Sequence, residues 1–448
     1  MVLNIEALLP QHQQAKRIYV AYSGGVDSHV LLHLCAMSPM IKNKLSAVYV
    51  HHGLQLAADA WADHCQRTAE ALGVDCLVLR VNASPKSGES PEEAARNARY
   101  QALKPLLSAE DVLVVAQHQQ DQLETMLLQL FRGSGLKGLS AMPEVAVFGK
   151  GLLLRPLLNI GKHLIDEYAK SQALQWIEDP TNKLSDYDRN FLRNDIVPQL
   201  QQRWPGLAKS VSRSAQHCAE AQAMLADVAK DLLANLIDVT DNTLPIDKLL
   251  QLSAAEQRWV IRQWFGQMGL KMPSQATLGR LFTEVLAAND DREPLLAGKE
   301  YCLRRYRNKL FCLQTKAEEC LFQGIWDSSN NPLYLGGGDY LCWSVASQGI
   351  ALSVWEQAQI TVQYRQGGEK IRLPHRQGSH DLKKLYQEAG IPPWQRSVMP
   401  LIYLDGRLAA VADRWLSADF YQESLDGCVY LHWQSAVAGQ KSADEVVF

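Results

Sequence analysis

The chain has 448 residues, 47% of them hydrophobic and 21% charged, with a formal net charge of −3. That length exceeds one ordinary hydrophobic core and predicts two or three globular domains. The near-balanced charge excludes a generally basic, sequence-blind nucleic-acid binder but leaves room for a local basic surface.

No apolar run approaches the ~18 residues that a membrane span needs, so no membrane partner is expected. The start, Met1-Val2-Leu3-Asn4, lacks a basic region before an apolar core, which makes the cytoplasm the expected compartment. Nine cysteines are scattered without a C-x-x-C pair. That pattern argues against a disulfide framework, a zinc ribbon or an iron–sulfur site.

In chain order, residues 18–22, 47–51, 76–81, 112–116 and 152–154 read as short apolar strands. Helical patterns at 30–37, 57–72, 91–107, 119–131 and 162–172 fall between or after them. This β-α-β-α order predicts a Rossmann-like α/β domain over residues 1–206, with a parallel sheet and helices on both faces. Ligands of such sheets bind beyond the carboxyl ends of the strands. Three polar stretches end strands there: Ser23-Gly24-Gly25-Val26-Asp27-Ser28, His51-His52-Gly53 and Gln117-His118. An alanine-rich helix is expected at 207–237, followed by helices at 246–252, 254–268 and 274–288 and a hairpin of 301–306 with 309–313. These form a small helical domain over 207–316. Short strands with Gly turns and one helix at 381–389 predict a small α+β domain over 330–440.

The loop Ser23-Gly24-Gly25-Val26-Asp27-Ser28 carries the strongest chemical signal. Two glycines between a strand and a helix let the backbone approach a ligand closely. The helix start then offers free N–H groups and a positive dipole end to an anion. The loop lacks the lysine of G-x-x-x-x-G-K-[ST], which would reach the β- and γ-phosphates. Asp27 beside phosphate would be repelled without a cation, so Mg²⁺ is its expected partner. Ser23 and Ser28 supply hydroxyls, either to phosphate or to the turn itself.

Farther along, Asp121 and Glu124 lie three apart at a helix start. They suit the helix dipole, and they equally suit a bound amine. Arg132-Gly133-Ser134-Gly135-Leu136-Lys137-Gly138 is either a helix cap and turn or an approach to a phosphodiester through Arg132 and Lys137. Ser90-Pro91-Glu92-Glu93 reads as a helix start, with Arg96 and Arg99 following on that helix. Arg189 and Arg193, at i and i+4, have the spacing to clamp phosphate.

The loop resembles the pyrophosphate (PP) loop of ATP-pyrophosphatases. Taken in order, S-G-G-V-D-S, V-H-H-G-L, A-Q-H-Q-Q-D-Q-L-E-T, R-G-S-G-L-K-G-L, E-D-P-T-N and R-N-F-L-R resemble the tRNA(Ile)-lysidine synthetase family over most of residues 15–205. A weaker likeness continues in L-K-K-L-Y-Q-E-A-G-I-P-P-W-Q-R, from Leu382 to Arg396. The resemblance implies a PP-loop domain followed by two smaller domains. It also implies that ATP adenylates carbon 2 of the wobble cytidine in a CAU-anticodon isoleucine tRNA, and that free lysine then displaces AMP to give lysidine.

The resemblance places pyrophosphate on Ser23, Gly24, Gly25, Val26, Asp27 and Ser28, with His52 lining the site. Lysine falls to Asp121 and Glu124, and Arg96 holds the nucleotide or the lysine carboxylate. Asp27, Asp121, Glu124 and Arg96 are thus the expected catalytic set, with ATP and Mg²⁺ as cofactors. Gln119-Gln120 stand where family members often carry an additional Asp, so no role is assigned to a carboxylate there.

A tRNA-contacting surface is expected at Arg132, Lys137, Arg189, Arg193, Arg305, Lys383, Lys384 and Arg396. Residues 361–416 hold nine Arg and Lys against five Asp and Glu. A homodimer is compatible with the chain but not required by it. Three other readings compete, of which small-molecule amide synthesis, such as NAD or GMP synthesis, shares the loop but would not explain two extra C-terminal domains. A tRNA thiolase would need a reactive cysteine such as Cys35 or Cys65, and a non-catalytic tRNA binder would have no use for an intact loop.

Overall fold

The computed structural model describes residues 3–53, 58–85, 91–180, 187–289, 292, 294–314 and 321–434. Ser90, expected as a helix cap, and Thr181-Asn182 of the E-D-P-T-N stretch lie outside the described residues. The chain forms two compact units, Met1–Leu225 and Ala226–Phe448.

The first unit is built on a six-stranded sheet: β1 (Arg17–Ala21), β2 (Leu45–His51), β3 (Asp75–Arg80), β4 (Asp111–Val114), β5 (Val145–Phe148) and β6 (Gly151–Leu154). Its order is β3-β2-β1-β4-β6-β5, parallel except for the edge strand β5. The apolar runs are continuous because both faces of a parallel sheet are covered. Side-chain alternation then splits each run in two. Ile18, Val20, Ala47, Tyr49, Val112 and Val114 pack on one face against helices α1 (Val26–Met37), α2 (Ala58–Ala71) and α5 (Lys162–Ser171). Tyr19, Val48, Val50, Leu113 and Leu153 pack on the other, with Leu103 of α3 (Pro91–Leu103).

Strand order runs outward from β1 in both directions, so the crevice between β1 and β4 is a topological switch point, where open α/β sheets bind ligands. The loop after β1 leads into α1, and the loop after β4 leads into α4 (Gln119–Phe131). The two flanking connections therefore meet at one crevice.

A 30-residue helix, α6 (Leu207–Leu236), runs through the boundary between the units. In the second unit, a sheet of Leu244–Pro245, Lys309–Gln314, Tyr301–Tyr306 and Leu295–Ala297 packs on Ala254–Gln267. Trp264 and Phe265 are fully buried in that core. The segment expected as one helix over 274–288 is Gln275–Arg280 followed by a π-helical turn, Leu281–Leu286.

Beyond residue 321, a five-stranded sheet centres on Leu401–Leu404, and a long hairpin pairs Asp339–Ala351 with Tyr421–Gln434. The expectation of a single helix there is corrected: Leu352–Gln357 and Pro393–Arg396 join Leu382–Glu388. Helices of four to six residues are too short to write a 3.6-residue period into the sequence. Among the described residues no helix is long and apolar enough to cross a membrane.

Candidate active site

The loop after β1 is held open by its own hydroxyls. Ser28 Oγ accepts from the Ser23 backbone N–H at 3.1 Å, lies 3.1 Å from Ser23 Oγ and donates to the Gly25 carbonyl at 3.0 Å. Gly24 has φ +82°, and a Cβ there would stand 2.9 Å from Ile177 Cδ1 and 3.2 Å from Cys65 Sγ, so only glycine fits. Its carbonyl also accepts from the Ile177 N–H at 2.9 Å. Gly25 caps α1 without a side-chain hydrogen bond. The first-turn N–H groups of α1 therefore face the crevice as an anion seat.

Asp27 projects from that first turn and meets two partners. Lys162 Nζ, at the start of α5, lies 2.5 Å from Asp27 Oδ1, and His118 Nε2 lies 3.6 Å from Oδ2. Burial pushes the Asp27 carboxyl upward, but His118 and then Lys162 outweigh it and hold the group at about 2. Lys162 also pairs with Asp166 at 3.0 Å.

His118 is buried and caps α4, accepting from the Gln120 N–H through Nδ1 at 3.2 Å. Its own backbone N–H donates to Asp121 Oδ2 at 3.0 Å, which completes a reciprocal cap. His118 Nε2 also lies 3.5 Å from Asp121 Oδ2. The ring therefore stands between Asp27 and Asp121, joining the loop after β1 to the acidic pair. Asp121 uses one oxygen to cap the helix, and the other accepts from Arg189 and Arg193.

Glu124, fully buried, accepts from Arg189 Nε at 2.8 Å and from Arg193 Nε at 2.7 Å. Both guanidiniums reach Asp121 Oδ1 as well, at 3.1 and 3.0 Å. Burial works against the Arg193 charge, but Glu124 and then Asp121 outweigh it and hold the guanidinium above its ordinary value. In the ligand-free protein Arg189 and Arg193, expected to clamp a tRNA phosphate, are instead paired with the acidic pair. The structure brings together two acids and two bases that the sequence leaves 65 or more residues apart.

A second basic group lies at the neighbouring strand ends. Arg99 Nη2 lies 3.2 Å from His52 Nε2. Burial first, then Arg99 and His51, push His52 down to about 4, so the ring is neutral and accepts from Arg99. Arg96 stacks 5.0 Å over the Tyr100 ring. Arg155 is buried, donating to Gln117 Oε1 at 2.5 Å and to the Pro143 carbonyl at 2.7 Å.

Sequence reasoning overlooked Arg155, Arg99 as a partner of His52, and Lys162. The strand-end rule alone would have reached Arg155, because it follows β6 directly, as Gln117-His118 follow β4. Lys162 carried no local signal, since its partner lies 135 residues away.

The remaining basic candidates divide. Arg132, Lys137, Lys383 and Lys384 are exposed. Arg305 instead donates to the Leu286 and Ala288 carbonyls at 2.7 and 2.6 Å. Arg396 is 8% exposed, donates to the Ile391 carbonyl at 2.7 Å and to Tyr306 Oη at 3.0 Å, and stacks 5.8 Å over Tyr306. Both residues, expected to touch tRNA, are thus tied to internal acceptors. Lys309, in the same basic stretch as Arg305, pairs with Asp238 and Asp241 at 2.6 and 2.7 Å.

Cys35 and Cys65 are buried, and burial pushes both thiols up to about 12, far from a reactive thiolate. Among the described residues no group of three or more His, Cys, Asp or Glu side chains could hold a metal. A dedicated protein cage is thereby excluded there, but a Mg²⁺ that enters on phosphates needs only one or two carboxylates, and Asp27 fits that demand.

A parallel sheet carrying this loop at its switch point, with residues 2–200 matching the PP-loop domain family, defines an ATP-using enzyme of the PP-loop class. Residues 244–311 match the TilS substrate binding domain, and residues 360–433 the TilS substrate C-terminal domain. A tRNA(Ile)-lysidine synthase of Methylococcus capsulatus is 42% identical over 92% of this chain and 95% of its own length. The enzymes of that name from Alkalilimnicola ehrlichii and Yersinia pseudotuberculosis are 41% and 38% identical, over 88% and 97% of this chain and 88% and 98% of their own lengths. The chain belongs to the tRNA(Ile)-lysidine synthase family.

Proposed function

We propose that this protein is an ATP-dependent ligase that joins free lysine to carbon 2 of the wobble cytidine in a CAU-anticodon isoleucine tRNA, in the cytoplasm. The observation that carries this reading is the His118 bridge, which sets the phosphate seat of Asp27 beside the acidic pair Asp121 and Glu124.

The carbonyl oxygen of cytosine is a poor leaving group. Its attack on the α-phosphorus of ATP expels pyrophosphate and makes it a good one. The first-turn N–H groups of α1, with Ser23 and Ser28, hold the departing phosphates. Mg²⁺, bound through Asp27 and phosphate oxygens, would neutralise charge on them. The lysine ε-amine then attacks carbon 2, and AMP leaves with the oxygen.

Free lysine carries an α-carboxylate and two amines. In the ligand-free cluster two acids are matched by two arginines, so one ammonium and the carboxylate of an incoming lysine can exchange partners with it, and the charge balances once the second ammonium loses its proton. Its ammonium takes Asp121 or Glu124, and its carboxylate takes Arg189 or Arg193. The ε-amine must lose a proton before attack. Arg96 and Arg99 of α3, with Arg155 after β6, supply the positive field for the nucleotide. Lys383 and Lys384, with Arg132 and Lys137, position the tRNA through its phosphates.

Mass analysis of a CAU-anticodon isoleucine tRNA after incubation with ATP, Mg²⁺ and lysine tests the reading. The expected product gains one lysine less one water, with one pyrophosphate released per modified tRNA. Pyrophosphate release without that mass gain would refute it.

A further inference from the structure

The loop Ser23-Gly24-Gly25-Val26-Asp27-Ser28 lacks the lysine with which a common phosphate loop meets the β- and γ-phosphates. We propose that Lys162 is that missing cation, delivered by the fold from 135 residues away, and that it stabilises the departing pyrophosphate. In the ligand-free protein it is parked on Asp27.

The backbone of Lys162 is fixed. It opens α5, whose Ile165 and Ala169 are fully buried against the sheet. Tyr168 Oη, farther along the same helix, lies 2.9 Å from His33 Nδ1 of α1. Just before the helix, the Ile160 carbonyl accepts from the Gln119 N–H at 3.1 Å, which ties the start of α5 to the start of α4. Two helices that line the crevice thus hold the base of the lysine in place. Its side chain is one-third exposed, so the ammonium is free to move into the crevice.

The charge arithmetic favours such a move. Asp27 and Asp166 share this one ammonium, at 2.5 and 3.0 Å. When Asp27 turns to the divalent cation that arrives with the nucleotide, Lys162 is released from it. Asp166, one helical turn away, still restrains the ammonium near the helix start. From there it lies at the mouth of the seat formed by the first turn of α1. As the α-phosphorus–oxygen bond breaks, the electron pair and a full negative charge pass to the leaving pyrophosphate. A mobile ammonium is suited to meet that charge.

The inference rests on the proposed placement of ATP over the loop. Its test compares wild type, Lys162→Met and Lys162→Arg by calorimetric binding of Mg²⁺ with α,β-methylene-ATP, and of AMP. A charge-assisted phosphate contact predicts that Lys162→Met weakens the triphosphate analogue about 10–100-fold. AMP, which has no β- or γ-phosphate, should shift by no more than about twofold. Lys162→Arg should recover part of the triphosphate affinity, and tRNA-dependent pyrophosphate release by Lys162→Met should slow about a hundredfold.

Equal losses for AMP and the triphosphate would show that Lys162 only shapes the pocket and would overturn the proposal. An unchanged triphosphate affinity would overturn it as well. Wild-type protein that failed to bind the analogue at all would remove the ATP reading itself, and this inference with it.

Discussion

Arginines do opposite work in two regions of the molecule. At the switch-point crevice, Arg189 and Arg193 are paired with the carboxylates Asp121 and Glu124. In the second unit, Arg305 and Arg396 are spent on backbone carbonyls and a tyrosine, and Trp394 is packed 5.2 Å from Phe311 with Arg304 5.1 Å above it. A carboxylate partner is exchangeable, because a substrate that carries both charge signs can replace it on each side. A backbone carbonyl with a neighbouring aromatic ring is not. The partner of a basic residue therefore says more about its role than its charge or its place in a basic stretch.

Removing charge from the crevice should produce the largest effect and most directly break the comparison. Glu124→Gln leaves two guanidiniums facing a fully buried neutral amide, and the loss should be about 3–5 kcal/mol in denaturant unfolding. Adding Arg193→Gln should recover part of it. If Glu124→Gln alone were neutral, the cluster would not be the coupled unit described here.

Arg396→Met comes next. It removes two hydrogen bonds and a stacked cation, so about 1–3 kcal/mol should be lost with the salt slope of tRNA binding unchanged. A shallower slope would return Arg396 to the tRNA surface.

The pH response sharpens the crevice side further. His52 titrates near 6.5 when unfolded and is held at about 4 in the fold, by burial and then by Arg99. Between those values the unfolded chain binds the extra proton. Stability is therefore full above about pH 6.5 and falls as the pH drops toward 4, with a slope of at most about one proton from this residue. His29 and His33 are also lowered by burial and add to the same window, so the His52 share is read as the difference from His52→Gln. The glutamine keeps an acceptor for Arg99 and should flatten the curve.

The smallest effect belongs to the exposed pair. Substituting Lys383 and Lys384 together by Ala should leave stability unchanged and reduce the salt slope of tRNA binding by about one per lost phosphate contact. An unchanged slope would leave the second unit without an assigned phosphate contact.

The parallel sheet was legible because each strand from β1 to β4 is a short apolar run followed by a turn and a helical period. The same alternation brought the three polar stretches to one end of the sheet. The anion loop was legible because its glycines and hydroxyls act within six consecutive residues. The short helices Leu352–Gln357 and Pro393–Arg396 were not, since one turn leaves no periodic trace. Nor were the roles of Arg305 and Arg396, because nothing local distinguishes an arginine that meets solvent from one that meets a carbonyl.

By itself, then, the chain determined what acts over a few residues: strand, turn, helix start and the glycine loop between them. Only the tertiary structure decided which charges meet, placing Lys162 on Asp27 and Arg189 and Arg193 on Glu124. The physical reason is range. Backbone conformation and capping are settled by adjacent residues, whereas an ion pair forms between whichever side chains the packed helices bring within a few ångströms.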